Sequence, residues 1–190
     1  VVVTHTHQDH SPAVAALKER TGCRVFGWPA PPGAGQDQTF RADDEPEHGD
    51  LIVTEAGLLK VLHTPGHASN HLCFLLVDQK LLFSGDHIMQ GSTVVINPPD
   101  GDMKAYIESL YELLAESIRY IAPAHGFLMG HPEAVIDFLI THRLSREHKV
   151  ARALEALAPV DLKALTAKAY DDVPAAIHGL AARSALAHLL

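Results

Sequence analysis

The chain is short of cysteine, of long apolar runs and of positive charge, and each shortage excludes something. Two cysteines in 190 residues, Cys23 and Cys73, cannot build a disulfide framework and point to a reducing compartment, the cytoplasm. No apolar stretch approaches the roughly 18 residues that read as a membrane span, and no basic-then-apolar start suggests a secretory leader. A membrane partner is therefore not expected. Lys and Arg number 15 against 23 Asp and Glu, a net charge of −8. Residues 1–139 hold eight of those bases and eighteen of those acids, so this region has no cationic surplus for gripping a nucleic-acid backbone. Residues 140–190 hold seven bases against five acids, and the reversal marks a candidate boundary near Thr141. At 47% hydrophobic and 20% charged, the chain can bury a core and is not a disordered one. Its length fits one medium domain, alone or with a small appendage.

Histidine is what abounds, with fourteen copies. It is the commonest metal ligand and the side chain that titrates nearest neutral pH, so its placement carries the argument. Val1-Val2-Val3 reads as the end of a buried strand, whose sheet neighbours would precede it; the chain is expected to be part of a longer one. Ser11 as N-cap and Pro12 in the first turn predict a helix to about Arg20, ended by Gly22. A short strand is expected at Arg24–Gly27, then a Pro/Gly/acid-rich loop from Pro29 to Gly49. Leu51–Thr54, Leu58–His63, Leu72–Val77 and Lys80–Ser84 are strand-like runs between turn residues, and Tyr120–Ala122 is another. Helical spacing covers Asp102–Glu116, and residues from Pro132 onward read as three helices, 132–157, 161–169 and 174–190.

His5, His7, Asp9 and His10 lie within six residues directly after the first strand. In an extended segment His5, His7 and Asp9 project to one side and His10 elsewhere, so the loop can serve two neighbouring ions. Imidazole and carboxylate are ligands that zinc accepts. His67 follows Thr64-Pro65-Gly66, Asp86 follows Ser84-Gly85, and His125 lies in Pro123-Ala124-His125-Gly126, each just past an expected strand. Loops on a rigid sheet edge are where sites are built, and the neighbouring glycines let the backbone turn tightly. Together these are seven candidate ligands, enough for two metals.

His-Thr-His-Gln-Asp-His resembles the HxHxDH signature of the metallo-β-lactamase superfamily, and the motifs around His67, Asp86 and His125 resemble its later ligand motifs in the same order. The resemblance covers roughly residues 1–140. Residues 71–150, including His71-Leu72 and His142-Arg143, are similar to the beta-lactamase-like-protein-2 group, whose C-terminal domain is winged-helix-like. The resemblance implies an α/β fold, the αββα sandwich, with its N-terminal strands missing here, as a partial catalytic domain over residues 1–140. A helical, winged-helix-like region would follow over residues 141–190. It also implies two zinc ions, with iron or manganese as alternatives. His5, His7 and His67 would hold the first, Asp9, His10 and His125 the second, and Asp86 would bridge them. A hydroxide between the metals would be the nucleophile, oriented by Asp9 as the catalytic residue. His87 stands where relatives often carry Cys.

The leading expectation is a metal-dependent hydrolase of an ester, thioester or phosphodiester. Its alternatives are a single-stranded RNA endoribonuclease of the same superfamily and a non-haem iron persulfide-type oxygenase. The partner would be a small acyl or phosphodiester molecule, or RNA; the oligomeric state is open. β-Lactam cleavage fits less well, because nothing suggests secretion. A non-enzymatic binding module would leave seven ligands without a use. Of the other histidines, His71 reads as packing or surface before it reads as a support for a ligand. A substrate-facing role for His87 is an even matter. His63 reads as structural, and His48, His131, His148, His178 and His188 read as solvated. Arg143, Arg146, Lys149 and Arg152 recur at helical steps, either as a solvated face or as a basic ridge steering an anionic substrate.

Overall fold

The structure is a computed structural model and describes residues 1–158 and 160–190. Its centre is a five-stranded sheet, β1 (Leu51–Thr54), β2 (Gly57–His63), β3 (Leu72–Leu76), β4 (Leu81–Gly85) and β5 (Tyr120–Pro123), in sequential order. The first four strands are antiparallel neighbours, and β5 joins β4 in parallel through the crossover helix α2 (Met103–Leu114). This topology sends the C-terminal ends of β2, β4 and β5 to one edge, where the loops carrying His67, Asp86 and His125 emerge.

Side chains alternate across the strands. Leu62, Cys73, Leu75, Leu82 and Ile121 face one side and pack against Tyr106 and Leu110 of α2 and Ile136, Leu139 and Ile140 of α3 (Pro132–Leu157). Leu59, Val61, Leu72, Phe74 and Leu76 face the other side, against Val2, Phe26 and Trp28. β3 is buried along its whole length because it lies mid-sheet and is covered on both faces. On the second face the cover is thin. The expected strands at Val1–Val3 and Arg24–Gly27 are reduced to isolated parallel bridges, Val2 with Phe26 and Phe26 with Asp44. Val53 is 81% exposed. The fold is mixed α/β, with helices packed on one face of the sheet.

The first helix, α1 (Val14–Thr21), starts later than Ser11 and Pro12 predict. The amides of His10 and Ser11 both bond back to the carbonyl of His7, so the ligand loop winds through a turn before the helix begins. Ser11 is buried and its hydroxyl donates to Asp37 Oδ2 at 2.8 Å instead of capping. Gly22, at φ 66°, ends the helix as expected. Asp102 caps α2 through Ala105 N.

After β5 and the loop that follows it, the elements among the described residues are all helical. α3 is followed by α4 (Leu162–Ala169), a 3-10 turn at Ala175–Ile177 and α5 (His178–Ala187). Among the described residues no strand follows β5, so no wing hairpin is part of this segment. The division near Thr141 falls inside α3, one continuous helix of 26 residues. Its first half packs in the main core, and Val150 and Ala153 form a second cluster with Leu165, Ala169, Tyr170 and Ala185.

Two tail histidines depart from the solvated placement read from sequence. His178 is half-buried and its Nε2 lies 3.2 and 3.0 Å from the carbonyls of Tyr170 and Val173, tying α5 to the α4 end. His188 has both ring nitrogens buried without a partner. Burial, and then the charges of Arg143, Arg146 and His142, lower its pKa to about 4. The unfolded chain takes up that proton near pH 6.5, the folded one only near 4. Between these values the unfolded state binds more protons, so stability falls as pH falls. In His188→Leu, urea-unfolding free energies should depend less steeply on pH across this window, by up to about 1.4 kcal/mol per pH unit. An unchanged slope would mean that His188 is protonated in the folded protein.

Candidate metal centre

The seven expected ligands converge at the sheet edge. His5 Nε2 and His67 Nε2 lie 2.9 and 3.0 Å from His7 Nδ1, three ring nitrogens around one point. Asp9, His10 and His125 form a second group, with Asp9 Oδ2 at 3.5 Å from His10 Nε2 and 3.3 Å from His125 Nε2. The carboxylate of Asp86 stands between them. Its Oδ2 is 3.9 Å from His5 Nε2 and 3.6 Å from His67 Nε2; its Oδ1 is 3.4 Å from both His10 Nε2 and His125 Nε2. One oxygen thus serves each group. The period-two reading of the loop put Asp9 with His5 and His7. The turn after His7 instead carries Asp9 round to join His10.

The donor set suits a pair of divalent cations. Burial and then the neighbouring histidines lower the pKa of His5 to about 2. Burial, chiefly, also lowers His7 and His67. These rings are neutral at physiological pH, the form that binds metal. His10 goes the other way: burial pulls it down, but the carboxylates of Asp86 and Asp9 outweigh that and raise it. Asp86 is the complement, pushed up by burial and brought lower overall by His10, His5 and His67. His10 Nε2 and Asp86 Oδ1 are buried and make no hydrogen bond with each other or with any other described group. Buried polar atoms are rarely left so. Orphaned donor atoms that face one another fit a shared cation.

The backbone makes this convergence possible at few residue types. Gly85 ends β4 at φ 52°, and a Cβ there would fall 2.7 Å from His71 Nε2 and 2.8 Å from Thr4 Cβ. Gly66, at φ 136°, lies against the backbone of Tyr106, where a Cβ would be 2.4 Å from its Cα. The turn before His67 is thereby pressed onto α2, and only glycine fits.

Several supports were not singled out from the sequence. Thr6 is buried and donates to Gln36 Oε1 at 2.6 Å while accepting from Asn70 Nδ2 at 2.8 Å, which pins the loop between His5 and His7. His67 Nδ1 donates to the carbonyl of Val95 at 2.8 Å, leaving Nε2 for the metal. His71 is fully buried, so the role of supporting a ligand prevails over a surface one. Its Nε2 accepts the backbone N–H of Asp86 at 3.2 Å, which leaves the ring proton on Nδ1 to be donated to Thr64 Oγ1 at 2.9 Å. Thr64 in turn donates to Cys73 Sγ at 3.2 Å. The thiol is pushed up to about 12 by burial and is a packing group, not a nucleophile. The four-residue step from His67 to His71 was the available signal.

His87, beside Asp86, is fully buried against Tyr106, with ring centroids 4.8 Å apart. Burial, chiefly, lowers it to about 3. His63 donates to or accepts from no ligand; its Nε2 bonds the carbonyl of Ser69 at 2.9 Å.

The geometry makes unequal demands on the two groups. His125→Ala removes one donor from the second group only, and metal content should fall by up to one equivalent. Asp86→Asn weakens both groups, and neither equivalent should survive dialysis. Elemental analysis checks this, with circular dichroism to confirm the fold. Two retained equivalents in Asp86→Asn would remove the bridging role.

The comparisons with known proteins agree with this architecture. The family model described as the metallo-beta-lactamase superfamily matches residues 1–125. A beta-lactamase-like protein 2 homolog of Drosophila melanogaster is 31% identical over 160 residues, covering 79% of this chain and 52% of that protein. An atrochrysone carboxyl ACP thioesterase of Aspergillus fumigatus is 27% identical over 160 residues, covering 82% of this chain and 47% of that protein. The chain spans about half the length of the curated relatives it matches. Among solved structures, a metallo-beta-lactamase family protein of Thermus thermophilus shares the fold at a TM-score of 0.78 and 20% identity, covering 99% of this chain and 72% of that one. A second, TTHA1623 in a di-iron-bound form, has a TM-score of 0.57 and 29% identity over 68% of this chain and 70% of that one. With its model matched across all the ligand positions, the chain belongs to the metallo-beta-lactamase superfamily.

Proposed function

We propose that this chain is the catalytic part of a dinuclear metal-dependent hydrolase acting on a small acyl ester or thioester. The observation that carries the reading is Asp86, which directs one carboxylate oxygen at each of two donor groups beside a cavity. His5, His7 and His67 would hold one ion, Asp9, His10 and His125 the other, with zinc the expected pair. A metal pair bound there supplies a water-derived nucleophile at neutral pH and polarises the scissile carbonyl. Asp9 has a side chain 60% exposed, so of the two carboxylates it is the one placed to accept a hydrogen bond from an incoming water. Asp86, at 10%, is shielded and serves to hold the groups in register.

The cavity favours a carbonyl substrate over RNA. Its volume is about 490 Å³, it is mostly apolar, and it runs from His67 and Asp86 to the C-terminal helices, between Met89, Val94, Val95, Leu180 and Ala181. An acyl group fits such walls and a polyanionic strand does not. Of the four bases expected to form a ridge, Arg152 alone is exposed among the described residues. Arg143 and Arg146 are buried, and Lys149 is paired with Asp171 and Asp172 at 3.1 Å. The thioesterase names among the relatives point the same way. The iron alternative draws support from the di-iron-bound neighbour and from a similar structure, that of ETHE1 from Myxococcus xanthus. The purified protein should contain two equivalents of zinc and hydrolyse acyl thioesters faster than a single-stranded oligoribonucleotide. Iron, with oxygen uptake on a persulfide and no thioester cleavage, would overturn the proposal.

A further inference from the structure

The cavity beside the metal centre ends in a cation that has no counter-charge. Arg143 projects from α3 into the cavity lining and is 3% exposed. Its Nη2 donates to the carbonyl of Val94, and its guanidinium lies 5.1 Å from the Tyr106 ring centroid. Its Nε–H has no acceptor, and among the described residues no carboxylate lies within 4.0 Å of it. A buried charge is expensive unless paired, and a carbonyl and an aromatic face compensate it only in part. Arg146, one turn on, shows the contrast. It is paired with Asp172 at 2.8 Å, bonded to the carbonyl of Ala169 and stacked 4.2 Å over Tyr170.

Two more polar groups line the same end of the cavity without partners. They are the Tyr170 hydroxyl and His142 Nδ1, both buried atoms. Three unpartnered polar groups lining one cavity depart from the rule that buried polar atoms are ordinarily bonded. With Arg146 neutralised by Asp172, and His142 kept from charging by burial and the two arginines, the uncompensated charge there is a single positive one.

Resting on the hydrolase reading above, we propose that Arg143, with the Tyr170 hydroxyl and His142, forms an anion subsite that selects acyl substrates ending in a carboxylate. The scissile carbonyl lies towards His67 and Asp86, the methylene chain lies along the apolar walls, and the distal carboxylate reaches Arg143. One net positive charge matches one carboxylate and mismatches a dianionic phosphate. Guanidinium and carboxylate pair through short charge-assisted hydrogen bonds, which a neutral acyl end cannot replace. Arg143 is then a specificity-determining residue contributed by the helical tail to a site whose candidate ligands come from the N-terminal loop and the loops at the sheet edge.

The test compares N-acetylcysteamine thioesters of succinic, adipic and suberic acid, each as its monothioester, with the uncharged acyl thioesters of equal length. The zinc-loaded protein should prefer one ω-carboxyl member by about tenfold or more in kcat/KM, mainly through KM. Arg143→Met should bring that ratio close to one, Tyr170→Phe should lower it in part, and Arg143→Lys should restore some of it. If Arg143→Met fails to fold, the latter two variants decide. Calorimetric binding of monomethyl adipate and dimethyl adipate reads the subsite without turnover. The half-ester should lose about tenfold or more in affinity in Arg143→Met, and the diester should not respond. Absence of thioester cleavage with Arg143-dependent half-ester binding would sink the hydrolase reading and leave the subsite standing. Thioester cleavage with no ω-carboxyl preference, and half-ester binding indifferent to Arg143, would overturn the subsite.

Discussion

A single carboxylate reaching in two directions sets the terms for the whole sheet edge. For the oxygens of Asp86 to face His5 and His67 on one side and His10 and His125 on the other, its main chain must be held in place. The fold achieves this with Gly85, whose missing side chain lets His71 approach, and with His71, whose Nε2 takes the Asp86 amide proton. His71 is itself held by Thr64, and Thr64 by Cys73, so the chain of bonds runs from the carboxylate into the middle of the sheet. Such supports act on orientation, and a displaced Asp86 carboxylate would lose its approach to both donor groups at once.

The candidate ligands stood out in the sequence because each belongs to a short local signal. His5, His7, Asp9 and His10 are six residues long as a cluster, and His67, Asp86 and His125 each follow a strand and sit beside a glycine or small residue. Strands and the long helices were legible for the same reason, since alternation and helical spacing are local. The residues around the ligands were not. Thr6 with Gln36 and Asn70, or His67 with Val95, are pairings across 28 to 64 residues that no spacing rule exposes. Ser11 misled as a helix cap because its local pattern was right, and Asp37 from a distant loop claimed its hydroxyl. Phe26 misled as a strand because β propensity reflects packing against neighbours, and here it meets only single bridges.

The arginines of α3 show why spacing alone misjudges a charged face. Of Arg143, Arg146, Lys149 and Arg152, which recur at three- or four-residue steps, the first two are buried where α4, α5 and the cavity cover the helix, Lys149 is half-buried and Arg152 is exposed. Burial then sorts them by partner. Lys149 and Arg146 find Asp171 and Asp172, and Arg143 finds a carbonyl and a ring. The pKa of Asp172 is held below the usual carboxylate range, first by its hydrogen bond from Arg146, so the pair stays ionised under ordinary conditions.

The two donor groups differ in a way that divides the traffic around them. The first is all nitrogen, and His5 is 1% exposed, whereas the second contains a carboxylate and has Asp9 and His125 side chains 60% and 46% exposed. Water therefore reaches the Asp9 and His125 side directly from solvent. The cavity meets the centre from the other side, through His67 and Asp86. The cavity side is thus the more enclosed of the two approaches, and the Asp9 side is the hydrated one. Strong charges in a dry pocket would cost more than they return, and neutral imidazoles avoid that cost. The placement of three histidines on the buried side and of the exposed aspartate on the wet side follows from the same balance.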